Sequence, residues 1–386
     1  MKITQITLRP LFMTFKEPYH WSGRIDYGAT VILVKIETEA GLTGYGESTS
    51  PFPAEAGLGL LGNIIPALIG ESPFDIDRLI YRARHLGLIN DTIRMPNLLL
   101  TGLEMALWDI LGQASGRPLY QLWGGAVREY VDYFGFVQGD TAGELADSAR
   151  ELAESGHKVI YMKVGRGEKS DVTNTRAVRE AIGPGPKLRL DANEAWNVFT
   201  AKNMIKRLAE FDLEFIEQPV DCRSLAALKQ VKDASPVPIA VDQGAYSLEE
   251  IYEVCRTQTA DVLVLSPHET GGGANFRKAA AIGEAARVPV CLHGQFTTGL
   301  TDLFHQHLAL TLPNLTDGNQ IMHQLLKEDI LEKPELEPKD GQIGLLPEVP
   351  GLGLKLNFEA VNRAAEAYAQ WTGRKLKNVD FVYSYK

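Results

Sequence analysis

Six short apolar runs, each closed by a polar or ionisable residue, recur along the middle of this chain. That rhythm constrains the fold more than any other feature. HKVIYMKVG ends near Lys163, LRLDANEAW turns at Asp191, FIEQPV at Glu217, PIAVDQG at Asp242, ADVLVLSP at Ser266 and PVCLHG at His293. The steps between these positions are 28, 26, 25, 24 and 27 residues. About 25 residues is the length of one strand, one helix and two short loops. Helix-like stretches such as NFRKAAAIGEAAR (275–287) fill the gaps. A run of β/α units at this period predicts a closed parallel barrel rather than an open sheet.

The chain before the barrel reads differently. Residues 1–50 alternate apolar and polar positions, and ATVILVKIETEAGLTGYGES (29–48) predicts two strands joined by a turn at Glu39-Ala40-Gly41. Residues 57–115 predict helices. In MPNLLLTGLEMALWDILGQASG (95–116) the apolar residues fall at helical spacing, and the pattern stops at Gly116-Arg117-Pro118. The strand pattern resumes with VDYFGFV (131–137). The expected division is an α+β unit over 1–125, the barrel over 126–350, and a C-terminal segment over 351–386 returning to the first unit.

Composition narrows the partners. The 386 residues suffice for a large core and more than one domain. A net charge of −10 argues against a nucleic-acid partner. It leaves room for a small anionic substrate, because a bound divalent cation changes the local field. Cys222, Cys255 and Cys291 are isolated, with neither zinc-ligand spacing nor a disulfide framework, and fit a reducing compartment. MKITQITLRPLF lacks a signal-peptide pattern, and no apolar run is long enough for a membrane span. The expectation is a cytoplasmic protein without a membrane partner.

In a barrel of this kind the chemistry lies at the C-terminal ends of the strands. Asp191, Glu217 and Asp242 close three neighbouring strands there. One such acid is more often a helix N-cap or a loop carboxylate. Three together are hard oxygen ligands for Mg²⁺ or Mn²⁺, and would repel one another without a cation. Lys163 ends the preceding strand. It can snorkel to solvent, but beside a cation its ammonium form is disfavoured, so its pKa is expected to fall toward neutrality and leave a base. Tyr161 lies two residues earlier on the same strand face, placed either to hydrogen-bond Lys163 or substrate or simply to pack. His293 ends a later strand, with four strand ends between it and Lys163 counted inclusively of Asp191 and Ser266, and is placed across the barrel mouth. Asn193, just past Asp191, is a further candidate for contact with substrate.

These motifs together resemble the enolase superfamily, in its mandelate racemase/muconate lactonizing enzyme branch. The likeness covers nearly the whole chain: GLTGYGES (41–48), ALWDILGQASGRPLYQLWGG (106–125), the three acid segments, TGGG (270–273) and PGLGLKL (350–356). It implies an α/β fold, a modified TIM-type (β/α)7β barrel with an α+β capping domain, and a homo-oligomer. It implies Mg²⁺ on Asp191, Glu217 and Asp242, polarising a small carboxylate substrate while its α-proton is removed to give an enediolate. The family's Lys-x-Lys maps onto Tyr161-Met162-Lys163, so only the later lysine, the base, is kept. At the sixth strand Ser266 stands where the lactonizing type has lysine and the racemase and acid-sugar dehydratase types have aspartate. His293 keeps the racemase-type histidine without its usual partner. Gln320 stands in place of a glutamate near the eighth strand.

Histidine without a sixth-strand lysine puts dehydration of a hydroxy acid or sugar acid first, racemisation or epimerisation second and muconate-type cycloisomerisation third. A non-catalytic metal-binding barrel is the alternative of another class. The resemblance places specificity in two cap loops, 15–28 and 48–57, where His20, Trp21, Arg24 and Tyr27 are candidates to grip substrate. His268 and Glu269 follow Ser266 directly and are candidates to replace the missing partner of His293, with loop surface as the simpler reading; Gly271, Gly272 and Gly273 are candidates to cradle an anion, with a tight turn into a helix as the simpler reading.

Overall fold

The computed structural model describes residues 1–21, 24–49, 54–87, 94–332, 336–372 and 380–384, with the side chains of Trp21 and Arg24 outside that description. The N-terminal unit is a four-stranded antiparallel sheet, order β13-β1-β2-β3, covered by helices. It comprises β1 (Ile3–Trp21), β2 (Arg24–Thr38), β3 (Thr43–Thr49), α1 (Ala54–Ile64), α2 (Ile76–Gly87) and α3 (Arg94–Ser115). The segment 15–28, expected as a loop, is instead the far end of the β1–β2 hairpin. After an irregularity between Thr14 and Tyr19 the pairing resumes at Tyr19↔Asp26 and runs to Trp21↔Arg24. Pro18 interrupts the ladder there, while alternation of Phe15 and Tyr19 with polar neighbours keeps both arms extended. The other expected cap loop, 48–57, lies partly outside the described residues.

The glycines of GLTGYGES have a packing cause. A Cβ on Gly44 would strike the Ala106 carbonyl, and one on Gly46 the Gly102 carbonyl, so β3 lies directly against the backbone of α3. Asp109 on α3 accepts from the amides of Tyr45 (3.1 Å) and Leu352 (2.9 Å), joining three of the sequence signatures at one carboxylate.

After α4 (Leu119–Leu122) the barrel begins. Its elements are β4 (Tyr130–Asp132), β5 (Gly135–Phe136), α5 (Ala142–Glu154), β6 (Val159–Lys163), α6 (Glu168–Ile182), β7 (Lys187–Asp191), α7 (Val198–Leu208), β8 (Leu213–Glu217) and α8 (Leu225–Lys232). Then follow β9 (Ile239–Val241), α9 (Leu248–Thr257), β10 (Val262–Leu265), α10 (Pro267–Thr270), α11 (Gly273–Ala285), β11 (Val290–Leu292) and α12 (Gly299–Ala309). Strands β5 to β11 form a parallel sheet in sequential order. Residues 314–320 close it. The Thr316 and Gln320 amides donate to Val290 and Leu292 (2.8 and 2.9 Å), and the Phe134 amide donates to Asn319 (3.0 Å). This is the eighth strand of a (β/α)7β barrel.

Strand β12 (Gln342–Gly344) pairs with β4. The chain then returns to the N-terminal unit, where α13 (Phe358–Trp371) packs on β1 and β13 (Phe381–Ser384) pairs antiparallel with it. Among the described residues no helix is long and apolar enough to cross a membrane.

Alternation along the strands aims the site. Phe215, Ala240, Val264 and Cys291 form one small buried cluster with Val262 inside the barrel, and the Arg189 guanidinium lies 4.6 Å over the Phe215 ring. Two residues further along each strand, on the same inward face, come Asp191, Glu217, Asp242, Ser266 and His293.

Candidate active site

The parallel register sets the acids side by side: Lys163 is level with Asp191, and Asp191 with Glu217. All three carboxylates are buried. The Tyr161 hydroxyl is shared between Asp191 Oδ2 (2.6 Å) and Glu217 Oε1 (3.2 Å), and its ring stacks on Phe134 at 4.4 Å. Tyr161 thus both packs and donates, a neutral group where the family motif carries a first lysine. Lys163 Nζ ion-pairs with Asp191 Oδ2 and donates to Asn193 Oδ1 at 2.5 Å. The Asn193 amide donates to Asp191 Oδ1 at 2.7 Å.

On the other side, His293 Nδ1 lies 3.4 Å from Asp242 Oδ1 and 3.3 Å from Glu269 Oε1. Glu269 also accepts from Gln295 Nε2 at 2.6 Å. The acids therefore form a row with a lysine at the Asp191 end and a histidine at the Asp242 end.

Charge and burial act strongly here. Burial, then the charges of Asp191 and Asp242, push the Glu217 carboxyl well above its usual range. Burial likewise raises Asp242, to about 8, with His293 opposing and Glu269 adding to the rise. Burial alone would lower His293, but Asp242 and Glu269 outweigh it and hold the ring at about 10. Lys163 behaves in the same way: burial lowers it, and Asp191, Tyr19 and Glu217 more than restore it, so it stands above the ordinary lysine value. The protein's own charges thus act against the fall expected from sequence, and a base at Lys163 requires that the charge on Asp191 be committed elsewhere.

The donors fit a divalent cation. They are hard carboxylate oxygens in a buried row, and Asp242 Oδ1 accepts no hydrogen bond among the described residues. Like charges packed this closely are what a doubly positive ion relieves. Asp242, Glu269 and His293 also bring one ligand atom each within 4.8 Å of one another.

The remaining candidates separate. Ser266 is buried, and its hydroxyl caps α10 by accepting from the His268 amide at 3.2 Å. Gln320 is buried too, its Oε1 accepting from the Gly294 amide at 2.9 Å, so it fixes the backbone beside His293. His20 faces outward and meets Asp140 at 3.1 Å, and Tyr27 is 66 % exposed. The assignments to the side chains of Trp21 and Arg24 lie outside the described residues. Glu269 and His268 are buried rather than on the loop surface, because Ser266 and Pro267 start a helical turn that carries both inward. Gly271 and Gly272 have φ of 82° and 121°, and a Cβ on Gly272 would strike the Glu104 carboxylate. Glu104 accepts from the Ala274 amide at 3.0 Å, so the α11 N-terminus faces a carboxyl group supplied by the chain itself.

Sequence reasoning passed over Tyr19. It is buried under the hairpin, 5.1 Å from Phe136 and 4.9 Å from Phe296, and near enough to Lys163 and Asp191 to feel their charges. Strand alternation was the available signal, since it sends Tyr19 to the face opposite His20. For Glu269 the signal was Ser-Pro, an N-cap followed by an N1 proline.

A barrel with a buried acid row at its strand ends, under an α+β cap, defines the enolase type of enzyme. Residues 3–124 match the mandelate racemase/muconate lactonizing enzyme N-terminal domain, and residues 144–361 match the enolase C-terminal domain-like model. The chain belongs to the mandelate racemase/muconate lactonizing enzyme branch of the enolase superfamily, whose members are Mg²⁺-dependent enzymes. It is 30 % identical to muconate cycloisomerase 1-1 of Acinetobacter lwoffii, over 90 % of this chain and 92 % of the relative. It is 31 % identical to the hydrophobic dipeptide epimerase of Enterococcus faecalis, over 82 % and 89 %. Among solved structures, the dipeptide epimerase of Cytophaga hutchinsonii complexed with Mg and D-Ala-L-Val superposes with a TM-score of 0.87, at 26 % identity, over 94 % of this chain and 98 % of that one.

Proposed function

We propose that this protein isomerises a small carboxylate at its α-carbon, as a racemase or epimerase, with Lys163 and His293 exchanging the proton from the two flanks of the acid row. One observation carries this: a basic group sits at each end of the row, Lys163 on Asp191 and His293 on Asp242, so a substrate held between them meets a proton carrier on either side. Inversion at carbon needs that arrangement, with removal from one face and delivery to the other. Dehydration, the reaction favoured from sequence, is not the reaction named for such relatives as muconate cycloisomerase 1-1, L-Ala-D/L-Glu epimerase and N-succinyl-L-Arg/Lys racemase.

Asp191, Glu217 and Asp242 would hold Mg²⁺, which when bound supplies Lewis-acid stabilisation of negative charge on the substrate carboxylate. Lys163 carries or accepts the proton at Nζ, steadied by Asn193 Oδ1 and the Tyr161 hydroxyl. His293 carries or accepts it at Nε2, since Nδ1 faces Asp242 and Glu269. Tyr19, on the cap hairpin, is buried against Phe136 and Phe296 beside Lys163 and would shield that flank from water. Cycloisomerisation is a second reading, favoured by 30 % identity to a muconate cycloisomerase and 29 % to D-galactarolactone cycloisomerase of Agrobacterium fabrum.

The test is incubation of Mg²⁺-loaded enzyme in D₂O with dipeptides, N-succinyl amino acids, hydroxy acids and muconate. Deuterium at the α-carbon with inversion supports the proposal, and Lys163→Ala and His293→Asn should each abolish exchange on one face. A lactone without epimerisation establishes the second reading. A 2-keto acid with loss of water would restore dehydration, and an unaltered Lys163→Ala enzyme would remove the lysine from the mechanism.

A further inference from the structure

We propose, building on the assignment of His293 as a proton carrier, that Glu269 is its positioning residue and that the capping domain holds Glu269 in place through Asn97. Ser266, at the position where the resemblance expects an acid partner, is spent on capping α10. One turn later Glu269 comes back over the barrel mouth, 1 % exposed, with Oε1 at 3.3 Å from His293 Nδ1. That is longer than a hydrogen bond, and Nδ1 makes none among the described residues, so the pairing is a close ionic contact that a small turn of the ring would convert into a hydrogen bond. The other carboxylate near Nδ1 is Asp242, which also belongs to the acid row. Glu269 is therefore the acid outside the row that faces the ring, its Oε1 shared with Gln295 Nε2. A carboxylate on Nδ1 keeps a proton there and turns Nε2 toward the substrate.

Glu269 sits on a helix of four residues, too short to fix its own position. Its backbone is gripped by α3 of the cap. Asn97 Nδ2 donates to the Glu269 carbonyl at 2.7 Å, and Thr101 Oγ1 donates to the Pro267 carbonyl at 3.1 Å. Asn97 is buried, and its Oδ1 accepts from Arg84 Nη1 at 2.5 Å. Arg84 also donates to the Gly271 carbonyl at 3.2 Å, so both ends of α10 are held by the cap. The cap is thus part of the scaffold of a barrel side chain, as well as a cover for it.

The test needs no substrate. In Mg²⁺-loaded protein labelled with ¹⁵N-histidine, the His293 Nδ1–H signal is assigned by its loss in His293→Asn. The expected result is a hydrogen-bonded, protected Nδ1–H in the wild type. Its exchange with solvent should become at least about tenfold faster in Glu269→Ala, with Asn97→Ala moving it the same way by less. Should Glu269→Ala not fold, Glu269→Gln keeps the volume and carries the same expectation. An unprotonated Nδ1 in the wild type, or exchange unchanged within about twofold in the Glu269 variant, overturns the pairing. A lowered melting temperature in Asn97→Ala with unchanged exchange overturns the link to the cap. Silence in the D₂O panel with a protected Nδ1–H would sink the proposed reaction and leave this inference standing.

Discussion

Metal binding to this site should be strongly coupled to protons. Asp242 is pushed up to about 8 by burial, and Glu217 well above its usual range by burial and its acidic neighbours. Both carboxyls must be ionised to serve as ligands, so the cation has to displace what protons they hold. A carboxyl titrating near 8 is ionised in only about one molecule in a hundred at pH 6. Asp242 alone, half ionised at pH 8, should therefore weaken the apparent affinity about 50-fold between pH 8 and pH 6, roughly 2 kcal/mol. The sign is fixed: affinity rises with pH through this window and levels off above it. Glu217 steepens the dependence, and because the acids titrate as a group the protons belong to the cluster rather than to either residue. Calorimetric titration with Mg²⁺ at pH 7, in buffers of different ionisation enthalpy, counts the protons directly, and the expected release is roughly one to two per ion. Asp242→Asn should lose most of the affinity and part of the release. A dissociation constant flat within about threefold from pH 6 to 8, with no buffer dependence of the heat, would refute the acid row as the ligand set.

Two further expectations concern the frame. Burial raises Glu104 to about 7, so the folded state holds a proton that the unfolded state releases above its ordinary value of 4.5. Its contribution is complete below that lower value and is lost as pH rises through 7. Glu104→Gln should accordingly gain about 3 kcal/mol relative to the wild type between pH 5 and pH 8, read from denaturant unfolding at each pH. Gly46→Ala should cost about 3 kcal/mol or more in the same assay, because its Cβ meets the Gly102 carbonyl and the β3–α3 contact has no slack; a loss within about 0.5 kcal/mol would show that the contact yields.

The barrel was legible because its signal is periodic and local. Each acid closes a strand, and the alternation that buries Phe215, Ala240 and Cys291 two residues earlier aims Glu217, Asp242 and His293 inward. The cap hairpin was harder. Segment 15–28 reads as a cap loop from the resemblance, whereas pairing across β1 and β2 continues past the irregularity at Pro18. Glu269 stays open in the sequence between loop surface and a partner for His293, because a four-residue helix is too short to show a period and its direction depends on α3, more than 160 residues away in sequence. Lys163 stands at its strand end as the pattern predicts; the neighbouring carboxylates on their own hold its pKa up, whereas the expected fall belongs to the site with a cation bound.

The two flanks of the site differ in how they are built, and that difference bears on how the reaction is set. Lys163, Tyr161, Asp191 and Asn193 come from two consecutive β/α units and contact one another directly. Their geometry follows from the register of β6 and β7, so it cannot shift without disturbing the barrel. The histidine flank is assembled at long range. His293 comes from β11, Glu269 from a short helix after β10, and the grip on that helix from Asn97 and Thr101 of the cap. Substitutions in α3 or in Ser266–Thr270 can re-aim Nε2 while leaving the acid row and Lys163 in register. The proposed first proton carrier is thereby separated from changes in the proposed second carrier, which meets the acid row at Asp242. On the proposed mechanism inversion depends on that second carrier and exchange at the lysine face does not, so the choice between inversion and cycloisomerisation would lie on the histidine side of the barrel mouth.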